Sequence, residues 1–154
     1  MTAIKNLYVR ALRIADKLAW LGPLAVRVVI GLAFAINGWG KLHNLDGITG
    51  SFTDLGIPMP HANAVFVSSV EFVGGLLLIV GLGTRIAALF LIGVMTVATL
   101  TSVYPDPDRQ VLNSIEISYL LSFVWLMLSG AGAASIDHVL ARRAHIDPHV
   151  GEAA

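Results

Sequence analysis

The chain has 154 residues, 56% of them hydrophobic and 13% charged, with a formal net charge of +0 and no cysteine. A soluble domain carries about 25% charged residues, so this chain has too little charge to cover a water-exposed surface of its size. With a neutral balance, nothing in the charge points to nucleic acid. The missing cysteines exclude disulfides, thiol chemistry and cysteine-held metal clusters.

The first element, residues 1–22, repeats apolar positions at helical spacing: Ile4, Leu7, Tyr8, Ala11, Leu12, Ile14, Ala15 and Leu18. Lys5, Arg10, Arg13 and Lys17 fall mostly on other faces. This pattern predicts a basic amphipathic helix lying on an anionic bilayer surface, with Trp20 at headgroup level. A cleaved signal peptide is not expected, because the apolar run that follows is too long and lacks a small-x-small site.

Four apolar stretches follow, at 23–42, 62–82, 85–104 and 111–131. About 20 apolar residues cross the hydrocarbon layer as a helix. The expected fold is therefore an all-α membrane protein: a four-transmembrane-helix bundle over 23–140, preceded by the interfacial helix and followed by a tail at 141–154. In the first stretch Arg27, Gly31, Gly38 and Lys41 are spaced 4, 7 and 3 residues apart, which puts them on one helix face with Asn37 at its edge. Glycines on such a face admit a second helix. Arg27 and Lys41 sit near the two ends of the span, so snorkelling to headgroups is the first expectation for both.

The second stretch puts Glu71, Gly74, Gly75 and Leu78 on one face. Glu71 lies about ten residues from either end of 62–82, too deep for a short acid to reach water. It must be protonated, paired or hydrated inside a cavity. The stretch ends in the tight turn "GLGTR", with Gly81 and Arg85 as structural residues. In the third stretch Thr96, Thr99, Thr101 and Ser102 are expected to bond back to their own helix. The fourth carries Glu116 beside Asn113 and Ser114, and a Ser114, Ser118, Ser122 stripe expected to meet another helix.

Basic residues set the orientation. Lys5, Arg10, Arg13, Lys17, Arg85, Arg142 and Arg143 share one side of a four-span topology, against Lys41 and Arg109 on the other. This predicts cytoplasmic termini, with 43–61 and "YPDPDRQ" as outer loops; Pro105 and Pro107 stiffen the second loop. Asn37, Lys41, His43, His61 and Glu116 then gather at the outer side, together with Tyr104; the first five are the candidate substrate-binding groups, above Glu71 as the candidate catalytic residue. No metal site is expected: His145 and His149 are four residues apart, but Pro148 breaks the helix that would align them.

The segments "NGWGKL" (37–42), "LGIPMP" (55–60), "EFVGGLLLIVGLGTRIAAL" (71–89) and "GAGAASIDHVL" (130–140) follow one another in an order that resembles the DoxX family. The resemblance implies a four-helix bundle in the bacterial inner membrane. It implies signature positions at Gly38, Lys41, Gly56, Pro58, Glu71, Gly74, Gly75, Gly81, Arg85, Gly130, Gly132, Ser135 and Asp137. The family takes its name from a subunit of a thiosulfate:quinone oxidoreductase. Other members belong to membrane complexes that handle oxidative and thiol stress. Quinone-reducing disulfide enzymes have a similar bundle but use cysteines, which this chain lacks. No haem, flavin or iron–sulfur ligand pattern is visible, so quinone is the one cofactor the resemblance suggests.

A redox role would make Glu71 a proton acceptor and have Lys41 or Asn37 hold a carbonyl oxygen. The leading expectation is the membrane subunit of a quinone-linked redox system, working with a soluble or membrane oxidoreductase partner. One alternative is a non-catalytic anchor or assembly factor. Another is a small proton-coupled transporter, which would have to form a homo-oligomer.

Overall fold

The computed structural model describes residues 2–103 and 114–143. All its regular elements are helical: α1 Thr2–Leu18, α2 Leu21–Leu42, α3 Leu45–Asp54, α4 Pro60–Val80, α5 Thr84–Ala98, α6 Ile115–Ser129 and α7 Ile136–Arg143. A π-helical turn, Thr99–Val103, prolongs α5. Several sequence expectations lie outside the described residues: Tyr104, the Pro105–Pro107 turn, Arg109, Asn113, His145, His149 and most of the tail. The same holds for the side chains of Ile4, Lys5, Leu7, Ala11, Ile14 and Ser102.

The apolar stretches become helices close to their expected bounds. Leu21–Leu42, Pro60–Val80 and Thr84–Thr101 are each long and apolar enough to cross a membrane. The fourth apolar helix has 15 residues, Ile115–Ser129, about 22 Å at the usual helical rise. Large apolar side chains such as Val29, Ile36, Val73, Ile86, Leu89 and Leu128 are exposed around the bundle, as lipid-facing residues of a membrane protein must be. The core between the helices holds Phe34, Leu78, Ala87, Ala88, Leu91, Val94, Met95, Phe123 and Leu126. Phe34 presents an edge-to-face contact to Phe123, with ring centres 4.9 Å apart, and another to Tyr119 at 5.1 Å.

The turn between α4 and α5 forms as its glycines predict. Gly81 has φ +70° and closes α4 through hydrogen bonds from its own N–H and from that of Leu82 to the Leu77 carbonyl. This is the left-handed helix ending that glycine adopts most readily. The hydroxyls of Thr96, Thr99 and Thr101 each donate to the carbonyl four residues back, as expected.

Three features differ from the sequence expectations. First, residues 43–61 are not only loop: α3 occupies Leu45–Asp54 and packs against α4. Gly47, Gly50, Thr49, Ser51 and Thr53 are weak helix formers, which hid the element; contact with α4 outweighs that propensity. Second, Ser122 of the serine stripe on α6 bonds back to its own helix. Ser122 donates to the Ser118 carbonyl at 2.8 Å, and Ser118 is exposed. Third, neither Arg27 nor Lys41 snorkels. Arg27 is 1% exposed and hydrogen-bonded to three backbone carbonyls. Lys41 turns inward to a carboxylate. In both cases a fixed acceptor inside the bundle competes successfully with the headgroup layer.

Candidate functional site

The site begins with two helices in backbone contact. A Cβ on Gly38 would stand 2.3 Å from the Phe72 nitrogen, and one on Gly75 would stand 2.5 Å from the Ala35 nitrogen. A Cβ on Gly31 would likewise meet the Gly75 carbonyl oxygen at 2.8 Å. Only glycine fits at these distances, so the small residues of α2 and α4 draw the two helices together. Gly74 faces away from α2, and a Cβ there would touch the Leu91 side chain at 3.2 Å.

Just beyond this contact the Lys41 Nζ donates to the Glu71 Oε1 at 2.6 Å. The two side chains differ in burial: 34% exposed for Lys41 and 3% for Glu71. A contact this short is a charge-assisted hydrogen bond, the stronger class of such bonds. The second carboxylate oxygen, Oε2, is buried and accepts no hydrogen bond among the described residues.

Both residues line a cavity of about 670 Å³. Side chains from α2, α4, α5 and α6 form its walls, and Phe52, Leu55, Ile57 and Pro58 contribute from α3 and the segment after it. Asn63 pins that segment, its amide donating to the Pro58 carbonyl at 2.6 Å. The lining is mainly apolar and rich in aromatic rings: Phe34, Phe52, Phe66, Phe90 and Tyr119. Phe66 and Phe90 are also 55% and 53% exposed on the outer surface, so the cavity communicates with the apolar exterior of the bundle.

The structure brings Asn37, Lys41, Glu71 and Glu116 to this one cavity. It leaves His43 and His61 off the lining. His43 bonds the Trp39 carbonyl at 2.9 Å and packs tilted against the Trp39 ring, and His61 meets the Thr49 hydroxyl at 3.3 Å on an exposed surface. No metal-ligating cluster occurs among the described residues.

A second polar cluster closes the opposite end of the bundle. The Arg27 Nε donates to the Leu78 carbonyl at 2.8 Å, Nη2 to the Ala134 carbonyl at 2.8 Å, and Nη1 to the Ala131 carbonyl. The Asp137 carboxylate accepts from the Gly83 and Thr84 N–H groups at 2.7 and 3.0 Å, capping α5 from α7. The Asp137 N–H in turn donates to the Gly81 carbonyl at 2.9 Å. Arg85, named as structural from its place in the turn, is exposed and reaches the Leu128 carbonyl at 3.5 Å. Sequence reasoning missed the anchoring role of Arg27. The usable signal was its register: Arg27 shares a face with Gly31 and Gly38, and a face that packs against a helix points inward.

The DoxX family model matches residues 22–103, which take in all but the first residue of α2, all of α3 to α5 and so both members of the ion pair. Among curated relatives, the "Putative oxidoreductase CatD" of Bacillus subtilis is 29% identical over 76% of this chain and 85% of its own. The inner membrane protein YqjF of Escherichia coli is 29% identical over 82% of this chain and 98% of its own. The inner membrane protein YphA of the same organism is 30% identical over 74% and 86% respectively. No solved structure matches this chain.

Proposed function

The chain belongs to the DoxX family, and from that premise we propose that it is the membrane subunit of a quinone-linked redox system in the bacterial inner membrane, with both termini cytoplasmic. The observation that carries this reading is the Lys41–Glu71 ion pair on the wall of a largely apolar, aromatic-lined cavity. Ligand pockets of about 300–1,000 Å³ with a few polar groups in an apolar wall are the usual form of small-molecule sites. A quinone headgroup has an apolar ring and polar oxygens at its edge, so its needs match those walls. Lys41 and Asn37 can hold a ring oxygen. Glu71 can exchange the proton that accompanies each electron.

A chain without cysteine cannot ligate an iron–sulfur cluster through thiolates, and in this reading a partner oxidoreductase supplies or takes up the electrons. A relative whose printed name includes oxidoreductase is in keeping with that role. A second reading, a non-catalytic anchor or assembly factor, is favoured by α1. Its described apolar residues Tyr8, Val9, Leu12 and Leu18 are exposed beside Arg10, Arg13 and Lys17, leaving a surface for lipid or a partner.

The deciding experiment is purification of the tagged chain from membranes, with identification of co-purifying proteins and of bound lipid-soluble quinone. A co-purifying oxidoreductase together with bound quinone supports the redox reading. A partner without quinone supports the anchor. Neither a partner nor quinone overturns both.

A further inference from the structure

We infer that the Lys41–Glu71 site recognises the hydroxyl-bearing, reduced form of an aromatic ring ligand, a quinol, in preference to the quinone of the same ring. This rests on the quinone-linked reading and adds which redox form the site is built to take up.

The pairing of donors and acceptors carries the inference. Glu71 Oε1 is occupied by Lys41 at 2.6 Å, while Oε2 is buried and accepts no hydrogen bond among the described residues. A buried acceptor without a donor is unfavourable, more so when it belongs to a charged group, so a ligand that brings a hydrogen to Oε2 is favoured. The Lys41 ammonium has three N–H groups and commits one of them to Oε1. Lys41 and Glu71 both line the cavity, with Oε2 itself buried behind the wall, so the pair holds an unmet acceptor and a donor close together there. A phenolic hydroxyl complements both, donating its hydrogen to Oε2 and accepting from Nζ on its oxygen. A quinone carbonyl accepts from Lys41 equally well. It has no hydrogen for Oε2, however, and sets its own lone pairs against that oxygen.

The rest of the cavity selects the ring. Phe34 and Tyr119 line its inner side, and Phe66 and Phe90 line it where their rings are more than half exposed to the bundle exterior. A ligand entering past them comes from the hydrocarbon layer, which favours apolar rings over water-soluble phenols. The proposal concerns binding alone, and no bond is made or broken in it.

The test uses the full chain in lipid nanodiscs under anaerobic conditions, titrated with duroquinol, with duroquinone and with the dimethyl ether of duroquinol. Duroquinol is expected to bind about tenfold more tightly than either of the others, the ratio given by one hydrogen bond to a charged acceptor. In Glu71→Gln the gap between duroquinol and duroquinone is expected to narrow, because an amide carries both a donor and an acceptor. Duroquinone or the ether binding as tightly as duroquinol overturns the inference and leaves the quinone-linked reading standing. Binding of none of the three overturns both. The wild-type titrations decide the matter even if the variant fails to fold.

Discussion

Gly38 of α2 rests on the backbone of Phe72 in α4, so closely that a Cβ on Gly38 would stand 2.3 Å from the Phe72 nitrogen. One helical turn further along α2 is Lys41, and immediately before Phe72 is Glu71, joined to it at 2.6 Å. The ion pair is thus a consequence of the glycine contact, which sets the separation and register of the two helices.

Gly38→Ala is accordingly expected to destabilise the protein and to loosen the ion pair. The clash is with main-chain atoms, which cannot rotate away as a side chain can. Overpacking of this kind costs about 1–3 kcal/mol. Thermal unfolding in detergent checks it: a melting temperature equal to that of the wild type would contradict the account. Gly40→Ala is the control, since a Cβ there meets nothing within 4 Å among the described residues.

Lys41 and Glu71 are expected to be strongly coupled. Lys41→Met alone leaves a carboxylate that is 3% exposed without its partner, and breaking a buried pair in this way costs about 3–5 kcal/mol. Lys41→Met with Glu71→Leu removes both charges and should recover most of that loss. A double-mutant cycle measured by unfolding reads the coupling. Additive single effects would mean that the pair contributes nothing to stability.

Arg27 holds three carbonyls, two of them from the segment between α6 and α7. Arg27→Met leaves those acceptors without their donor, at about 1–3 kcal/mol for each buried group left unsatisfied. Arg27→Lys should rescue only part of the loss, because a single ammonium cannot reproduce the guanidinium fork. Protease sensitivity near residues 130–136 is the second readout, and it should rise in both variants.

Gly93 lines the cavity, and among the described residues a Cβ there meets nothing within 4 Å. Gly93→Phe should therefore fill part of the cavity without straining the fold. Quinone or quinol binding should weaken while the melting temperature holds or rises, since glycine inside a helix is itself unfavourable by about 1 kcal/mol. Unchanged ligand affinity would move the ligand out of this cavity.

Asp137→Ala removes the carboxylate that accepts from Gly83 and Thr84, the first N–H groups of α5. Losing a helix cap costs about 0.5–2 kcal/mol. The expected outcome is a modest drop in melting temperature with ligand affinity unchanged, because this cluster lies at the end of the bundle remote from the cavity. A large loss of ligand binding would instead tie α7 to the site.

How much was legible beforehand follows from the range over which each feature is determined. The long apolar runs, the Gly81 turn and the inward face of Gly31, Gly38, Gly74 and Gly75 could be read directly, since hydropathy and helical period are local properties of the chain. So could the need of Glu71 for a partner, because no short acid at that depth reaches water. The choice of Lys41 over Asn37 as that partner, the burial of Arg27 and the absence of His43 and His61 from the cavity wall could not. Each depends on the rotation and register of one helix against another, or on backbone carbonyls that carry no mark in the sequence. The α3 helix belongs with these: its own residues favour a loop, and only the surface of α4 makes it a helix. The sequence alone determined the solvent, the long apolar helices and the place of the buried acid. The tertiary structure decided what the acid meets, because that is set by the backbone contact at Gly38 and Gly75, where two distant segments approach without side chains between them.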